Sequence, residues 1–356
     1  MPTLFDPIVL GDLTLPNRIL MAPLTRLRAG DSQIPNALMA EYYAQRASAG
    51  LIISEGVPVS PQGVGYAGVP GVWSKEQVEG WKGVTRAVKA AGGRIFMQIW
   101  HVGRISDPVF QNGELPVGPS AIAPSGTVSQ LRPQRPFVTP RPLETEEIAG
   151  VVESFRVGAQ NAQAAGFDGV ELHGANGYLL DQFLQDRSNK RTDQYGGSIE
   201  NRARLMLEAT DAAISVWGAD RVAMHLAPRG DAHDVGDSDL AGTFTYVARE
   251  LGKRKLAFIC SREALGPDSL GPKLKAAFGG VYVANERFTA ETGQAALNAG
   301  WADAVAFGKD FLANPDLPVR LRAGAPLNPA NPETFYAPGA EGYVDYPALS
   351  ELEPAE

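Results

Sequence analysis

The chain reads as a (β/α)8 barrel, and three features of the sequence say so. Eight short apolar runs recur along it, at 19–24, 51–56, 95–101, 169–175, 222–228, 256–260, 280–285 and 302–308. Each is apolar nearly throughout rather than at alternate positions, which is the pattern of parallel strands covered on both faces. Helical segments separate them, and no nucleotide fingerprint opens the chain as a doubly wound sheet would require.

The helices follow from capping and periodicity. Segments 36–48, 75–91 and 290–299 fit helices, and a sixth unit falls near 272–278. In 145–165 the expected cap is Thr145, Glu146 and Glu147 suit the first turn, and Ile148, Val151, Val152, Phe155, Ala159 and Ala162 form one stripe. Gly166 then ends the helix. In 199–217 Ser198 caps, and Ile199, Ala203, Met206, Thr210, Ala213 and Trp217 recur at helical spacing. Barrels of this kind take about 250 residues, so a chain of 356 has a surplus. It is expected in an N-terminal hairpin (5–15), a long Pro/Gly-rich loop after strand three (102–143) and a C-terminal tail (325–356). No composition shift marks a linker, so residues 1–356 read as one domain.

Composition narrows the function classes. Hydrophobic residues make up 44% and charged residues 20%, with a net charge of −8. That balance argues against nucleic-acid or anionic-membrane partners, which attract basic surfaces. One cysteine, Cys260, excludes an intramolecular disulfide or a Cys-rich metal site. MPTLFDPIVLGDLTLPNR lacks a basic region followed by an apolar stretch, and no apolar run reaches the roughly 18 residues of a membrane span. A cytoplasmic location is the expectation. Four histidines, His101, His173, His225 and His233, show no ligand spacing, and no metal is expected. A literal G-x-G-x-x-G at Gly63, Gly65 and Gly68 follows Pro58 and Pro61 and runs into VPGVW, so it reads as a loop. Neither a G-x-S-x-G elbow nor a Walker A sequence occurs.

Barrel chemistry gathers at the C-terminal ends of the strands. Strand one ends in Pro23-Leu24-Thr25-Arg26, strand two in Glu55-Gly56 and strand three in Gln98-Ile99-Trp100-His101. Strand four ends in His173-Gly174-Ala175-Asn176-Gly177-Tyr178, strand five carries His225, strand seven ends at Asn285 and strand eight at Gly308-Lys309. The stretch HGANGYLLDQFLQDRSNKRTDQYGGSIENR closely resembles the signature of the Old Yellow Enzyme family. NRILMAPLTR, EYYAQRASAGLIISEG, PGVWSKEQVEGWK, MQIWHVGR, ADAVAFG, NPDLP and GYVDYP extend the resemblance, in order, over nearly the whole chain.

The resemblance implies an FMN-dependent ene-reductase with non-covalent FMN and NADPH or NADH as reductant. It implies His173 and Asn176 as the donor pair for the substrate's carbonyl or nitro oxygen, and Tyr178 as the acid that protonates Cα. Such donors suit the enolate-like charge that forms as hydride reaches Cβ. It further implies Pro23 and Thr25 beside the flavin, Thr25 on O4, with Gln98 and the Gly56 amide near its pyrimidine edge. Asn285, Gly308 and Lys309 match the phosphate site, while Trp100, Tyr66 and Phe335 match substrate walls. The substrates implied are small activated alkenes, and the chain is expected as a monomer or homodimer.

Two positions depart from the family pattern. His225-Leu226-Ala227-Pro228 stands where the family usually has R-L-S-P, which replaces a permanent cation near flavin N1 and O2 by a titratable imidazole. Lys309 stands where an arginine usually grips the phosphate, keeping the charge but losing the bidentate fork. The expectation is weaker FMN binding and pH-dependent reduction through His225. Two other readings remain at this point: an FMN-binding barrel with poor turnover owing to His225, and a flavin-free barrel lyase or aldolase. The second would need a Schiff-base lysine within the strands, and none of the eight runs holds one.

Overall fold

The computed structural model describes residues 1–230 and 232–351, so the end of the expected tail, 352–356, lies outside the described residues. Eight parallel strands close a barrel: β1 (Ile19–Met21), β2 (Leu51–Pro58), β3 (Ile95–Trp100), β4 (Gly169–Gly174), β5 (Val222–Leu226), β6 (Phe258–Arg262), β7 (Tyr282–Asn285) and β8 (Ala304–Phe307). Strand β8 pairs back onto β1, with Val305 opposite Ile19 and Phe307 opposite Met21. All eight apolar runs therefore become strands. The sixth is displaced towards its C-terminal end: read as 256–260, it runs Phe258–Arg262.

The longer helices among the described residues are α1 (Ala37–Gln45), α2 (Lys75–Ala90), α3 (Thr145–Ala164), α4 (Ile199–Trp217), α5 (Leu240–Lys253), α6 (Gly271–Phe278), α7 (Ala290–Asn298) and α8 (Leu317–Ala323), and shorter ones span Leu179–Leu184 and Lys309–Ala313. Helix α4 starts as expected, with the Ser198 hydroxyl accepting from the Asn201 amide. Helix α3 corrects the sequence reading. Its cap is Glu144, which forms a capping box with Glu147, and the Thr145 hydroxyl instead donates to Asp193 at 2.6 Å. The Glu147 carboxylate accepts from the Glu144 amide at 2.7 Å, so the helix is closed off one residue earlier than Thr145. Gly166 takes the left-handed conformation that ends the helix, with φ of 84°.

The surplus residues shape the two ends of the barrel. A hairpin, Ile8–Leu10 with Leu13–Leu15, brings Leu10 and Leu15 into one apolar cluster with Leu20, Leu51, Phe96, Phe258 and Val283. This is the floor of the barrel, where the Phe96 and Phe258 ring centres lie 6.0 Å apart. The long loop after β3 contains a 3-10 turn at Pro108–Phe110 and a parallel pair of Val117–Gly118 with Arg141–Pro142. The glycine triplet starts at the end of a 3-10 turn, Pro61–Gly63, and continues as a loop, with no α-helix beginning between it and Lys75. A Cβ on Gly65 would stand 2.3 Å from the Ile105 carbonyl, so this glycine permits close chain packing rather than phosphate contact.

The C-terminal tail is tied to the end of β1. Arg26 donates to the carbonyls of Phe335 (3.0 Å) and Gly342 (2.7 Å), and Arg28 donates to Phe335 (2.8 Å) and Thr334 (2.8 Å). Both guanidinium groups also lie over the Tyr343 ring, at 4.9 and 4.6 Å from its centre. These contacts hold Phe335 and Tyr336 at the barrel mouth.

Candidate active site

A cavity of about 790 Å³ opens at the C-terminal ends of the strands. Cofactor and ligand sites commonly span roughly 300–1,000 Å³. Twelve of the fourteen residues picked from the sequence line it: Pro23, Thr25, Gln98, Trp100, His173, Asn176, Tyr178, His225, Asn285, Gly308, Lys309 and Phe335. Gly56 and Tyr66 stand one layer behind. A Cβ on Gly56 would lie 2.6 Å from the Trp100 indole, so this glycine makes room for that ring. Tyr66 stacks on Trp100 with centres 5.9 Å apart, and its hydroxyl meets the Tyr178 hydroxyl at 2.8 Å.

The floor of the cavity is a buried polar cluster. Gln98 Nε2 donates to Glu171 Oε1 at 2.8 Å, and His225 Nδ1 meets the same oxygen at 3.2 Å. Both side chains of the His225–Glu171 pair are almost wholly enclosed. The second carboxylate oxygen, Oε2, is buried and has no partner among the described residues. Cys260 completes a group in which one potential ligand atom from each of Glu171, His225 and Cys260 lies within 4.8 Å of the others. Glu171 Oε1 already serves Gln98 and His225, and burial raises the Cys260 thiol well above its usual range.

One wall of the cavity is aromatic and carries unsatisfied donors. His173 stacks on Trp100 at 5.7 Å with the planes 13° apart, and His225 lies 5.6 Å from His173. Burial, then the nearby His225, pushes the His173 imidazole well below its usual range, which leaves it neutral. A neutral imidazole has one N–H to offer. His173 Nδ1 and Trp100 Nε1 have no partner among the described residues. Tyr178 lies edge-on to both rings, at 4.6 Å from Trp100 and 5.1 Å from His173. Burial and then Tyr66 raise its phenol well above the ordinary value, and burial pushes Tyr66 up to about 12. Tyr178 therefore keeps its proton at any physiological pH.

The rim is charged, and this is what the sequence reading missed. Arg262, Glu286, Arg287 and Tyr336 also line the cavity. Arg262 Nη1 donates to Asn176 Oδ1 at 2.8 Å, and Arg262 Nε donates to Glu286 at 2.6 Å. Reading strand six as ending at Cys260 removed Arg262 from the strand ends under inspection. Carrying β6 two residues further would have found it. At the opposite rim, Lys309 is exposed and has no ion-pair partner among the described residues, while Asn285 Nδ2 donates to the Ala306 carbonyl at 2.7 Å.

This donor set fits a flavin mononucleotide. Gln98 and Thr25 offer hydrogen-bonding side chains at the cavity floor and wall, Lys309 offers an unpaired cation for a phosphate, and Trp100 and His173 leave buried donors unsatisfied. The fold and mouth define an eight-stranded barrel with a polar cavity at the strand ends large enough for a cofactor and a small molecule. The comparisons identify its family: residues 3–328 match the NADH:flavin oxidoreductase / NADH oxidase family, and the chain belongs to it, in the Old Yellow Enzyme group of FMN- and NAD(P)H-dependent oxidoreductases. It is 42% identical to the probable flavin mononucleotide-dependent alkene reductase of Leishmania infantum, over 97% of each chain. It superposes on the Old Yellow Enzyme homologue of Zymomonas mobilis with a TM-score of 0.95 at 44% identity, covering 98% of this chain and 100% of that one. Morphinone reductase in complex with tetrahydroNAD gives 0.95 at 47%, with full coverage of both chains. Among the described residues no helix is long and apolar enough to cross a membrane.

Proposed function

We propose that the chain, acting as one domain, reduces carbon–carbon double bonds activated by a carbonyl or nitro group, drawing its electrons from NADPH or NADH. The observation that carries this reading is the convergence of His173, Asn176 and Tyr178 on one cavity in a family of flavin oxidoreductases. When bound, FMN supplies the hydride that the double bond receives at Cβ.

The protein's own groups do the rest. His173 and the Asn176 amide donate to the substrate's activating oxygen, which gains negative charge as the hydride arrives. His173 is buried and Asn176 half-buried, and donors fixed in such a place act more strongly than in bulk water and need no reorganisation. Tyr178 holds a proton for Cα. Its hydrogen bond to Tyr66 fixes the hydroxyl's position, and burial keeps the phenol neutral until a more basic carbanionic centre forms beside it. Thr25 and Gln98 hold the flavin ring, and Lys309, Gly308 and Asn285 hold its phosphate end. Phe335, kept over the mouth by Arg26 and Arg28, limits water entry.

The test is product formation by the FMN-loaded protein. Incubation with NADPH or NADH and 2-cyclohexenone should yield cyclohexanone, with 2-cyclohexenol absent. Asn176→Ala should lower kcat/KM for the enone more than the rate of flavin reduction. An allylic alcohol product, or no product from any enone, maleimide or nitroalkene, would overturn the reading.

A further inference from the structure

The Asn176 side chain has a defined orientation, and the residue that defines it is Arg262. A guanidinium carries only donors, so the amide atom facing it at 2.8 Å must be the oxygen. That places Oδ1 on Arg262 and leaves Nδ2, with its two hydrogens, on the other branch of the planar amide. Arg262 is held in turn by Glu286 at 2.6 Å. The backbone of Asn176 is fixed independently: His233 Nδ1 lies 2.7 Å from the Asn176 carbonyl, so Nδ1 carries the proton. Both ends of this chain of contacts are residues with side chains in left-handed backbone, Asn176 at φ 58° and Glu286 at φ 96°. The second is an uncommon conformation for glutamate, maintained where its carboxylate meets Arg262.

We propose that Arg262 is a positioning residue for the reaction: it locks the Asn176 amide so that the pocket always meets a donor and never an acceptor. This rests on the proposed role of Asn176 towards the substrate oxygen. Without Arg262, rotation of the amide by half a turn exchanges Nδ2 for Oδ1. An acceptor would then face the oxygen on which charge develops, and that fraction of the enzyme would lose one of its two donors. Glu286 serves the same end by preventing Arg262 from swinging away.

The experiment is a double-mutant cycle in the FMN-loaded protein, measuring 2-cyclohexenone reduction with Arg262→Met, Arg262→Lys, Asn176→Ala and Arg262→Met/Asn176→Ala. Wild-type turnover comes first, because its failure would count against the proposed function and not against Arg262. With turnover present, Arg262→Met should lower kcat/KM about tenfold, within the range of one lost hydrogen bond to a charged centre. The same change should have little effect in the Asn176→Ala background. Arg262→Lys, which keeps a donor for Oδ1, should recover part of the loss. FMN affinity and the rate of flavin reduction by NADPH should stay as in wild type. An equal loss in both backgrounds would show Arg262 acting on the substrate directly, and would overturn the proposal. So would an unchanged kcat/KM in Arg262→Met, or a loss of FMN affinity matching the loss of activity.

Discussion

The two ends of this barrel are built from the same eight strands and have opposite chemistry. At the floor, Leu10, Leu15, Leu20, Leu51, Phe96 and Phe258 close the interior with side chains that need no hydrogen bond. At the mouth, the same strands end in Gln98, Trp100, His173, His225, Arg262 and Asn285, and several of their polar atoms go unpartnered. Packing at the floor supplies stability by removing apolar surface from water. An unsatisfied buried donor at the mouth costs stability and is tolerated where it will meet a ligand. The difference teaches that stability and reactivity can be altered separately here, by choosing the end of the strand.

The largest effect should come from the mouth. Tyr178→Phe removes the proton source and leaves the ring, so enone turnover should fall by about 10²- to 10⁴-fold. Loss of the Tyr66 partner should cost only about 1 kcal/mol of stability, readable as a small drop in Tm. Phe96→Ala should reverse the pattern: about 3–5 kcal/mol of stability lost to a cavity, with KM for the enone unchanged. If the two variants shifted stability and turnover together, the separation of the two ends would be wrong.

Titration sharpens the same contrast. Burial pushes Glu55, at the mouth, up to about 7, although it accepts from the Arg26 and Leu27 amides and from Tyr43. Asp181, behind the Asn176 turn, is likewise raised to about 7 by burial. Both carboxyls bind protons more tightly folded than unfolded. Their contribution is therefore fully present below the ordinary carboxylate range and is lost as pH rises through about 7. The buried His101 and His173, whose imidazoles burial lowers, act in the opposite direction, so the contribution is read as a difference: the stability of wild type relative to Glu55→Gln should fall between pH 5 and pH 8, by at most roughly 3 kcal/mol. A difference that stays constant or grows over this interval would show that Glu55 does not contribute in this way.

A smaller effect is expected at Gly56. Gly56→Ala places a methyl against the Trp100 indole, 2.6 Å from the nearest ring atom. It should cost about 1–3 kcal/mol by overpacking and raise KM by tilting the Trp100–His173 stack. The smallest effect concerns the floor of the flavin site. His225 faces Glu171, His173 and Cys260, and an imidazole supplies a countercharge only when protonated. The midpoint potential of the bound flavin should therefore be higher in His225→Arg, whose permanent cation favours the reduced, anionic flavin. An unchanged potential would remove His225 from the account.

The fold was legible because eight near-continuous apolar runs recur with helical segments between them, six of which the sequence placed, and each run became a strand. The cap of α3 was misplaced because Glu144, Thr145 and Glu147 all carry oxygens able to accept a helix amide, and only the backbone path decides among them. Most of the site was legible because barrel chemistry lies at strand ends, which put His173, Asn176 and Tyr178 under one inspection. Arg262 was not, since its strand runs beyond the apolar stretch that announced it. Nor could the sequence show that Tyr66 reaches Tyr178 rather than the cavity. That depends on a loop packing closely on Ile105, and no local pattern encodes the distance.

The most direct test is an anaerobic visible spectrum of the purified protein, taken before and after adding NADPH and again after adding 2-cyclohexenone. The account predicts oxidised flavin bands that bleach with NADPH and return with the enone. A colourless protein that also fails to take up added FMN, or a flavin that bleaches and is not restored by any activated alkene, would contradict it.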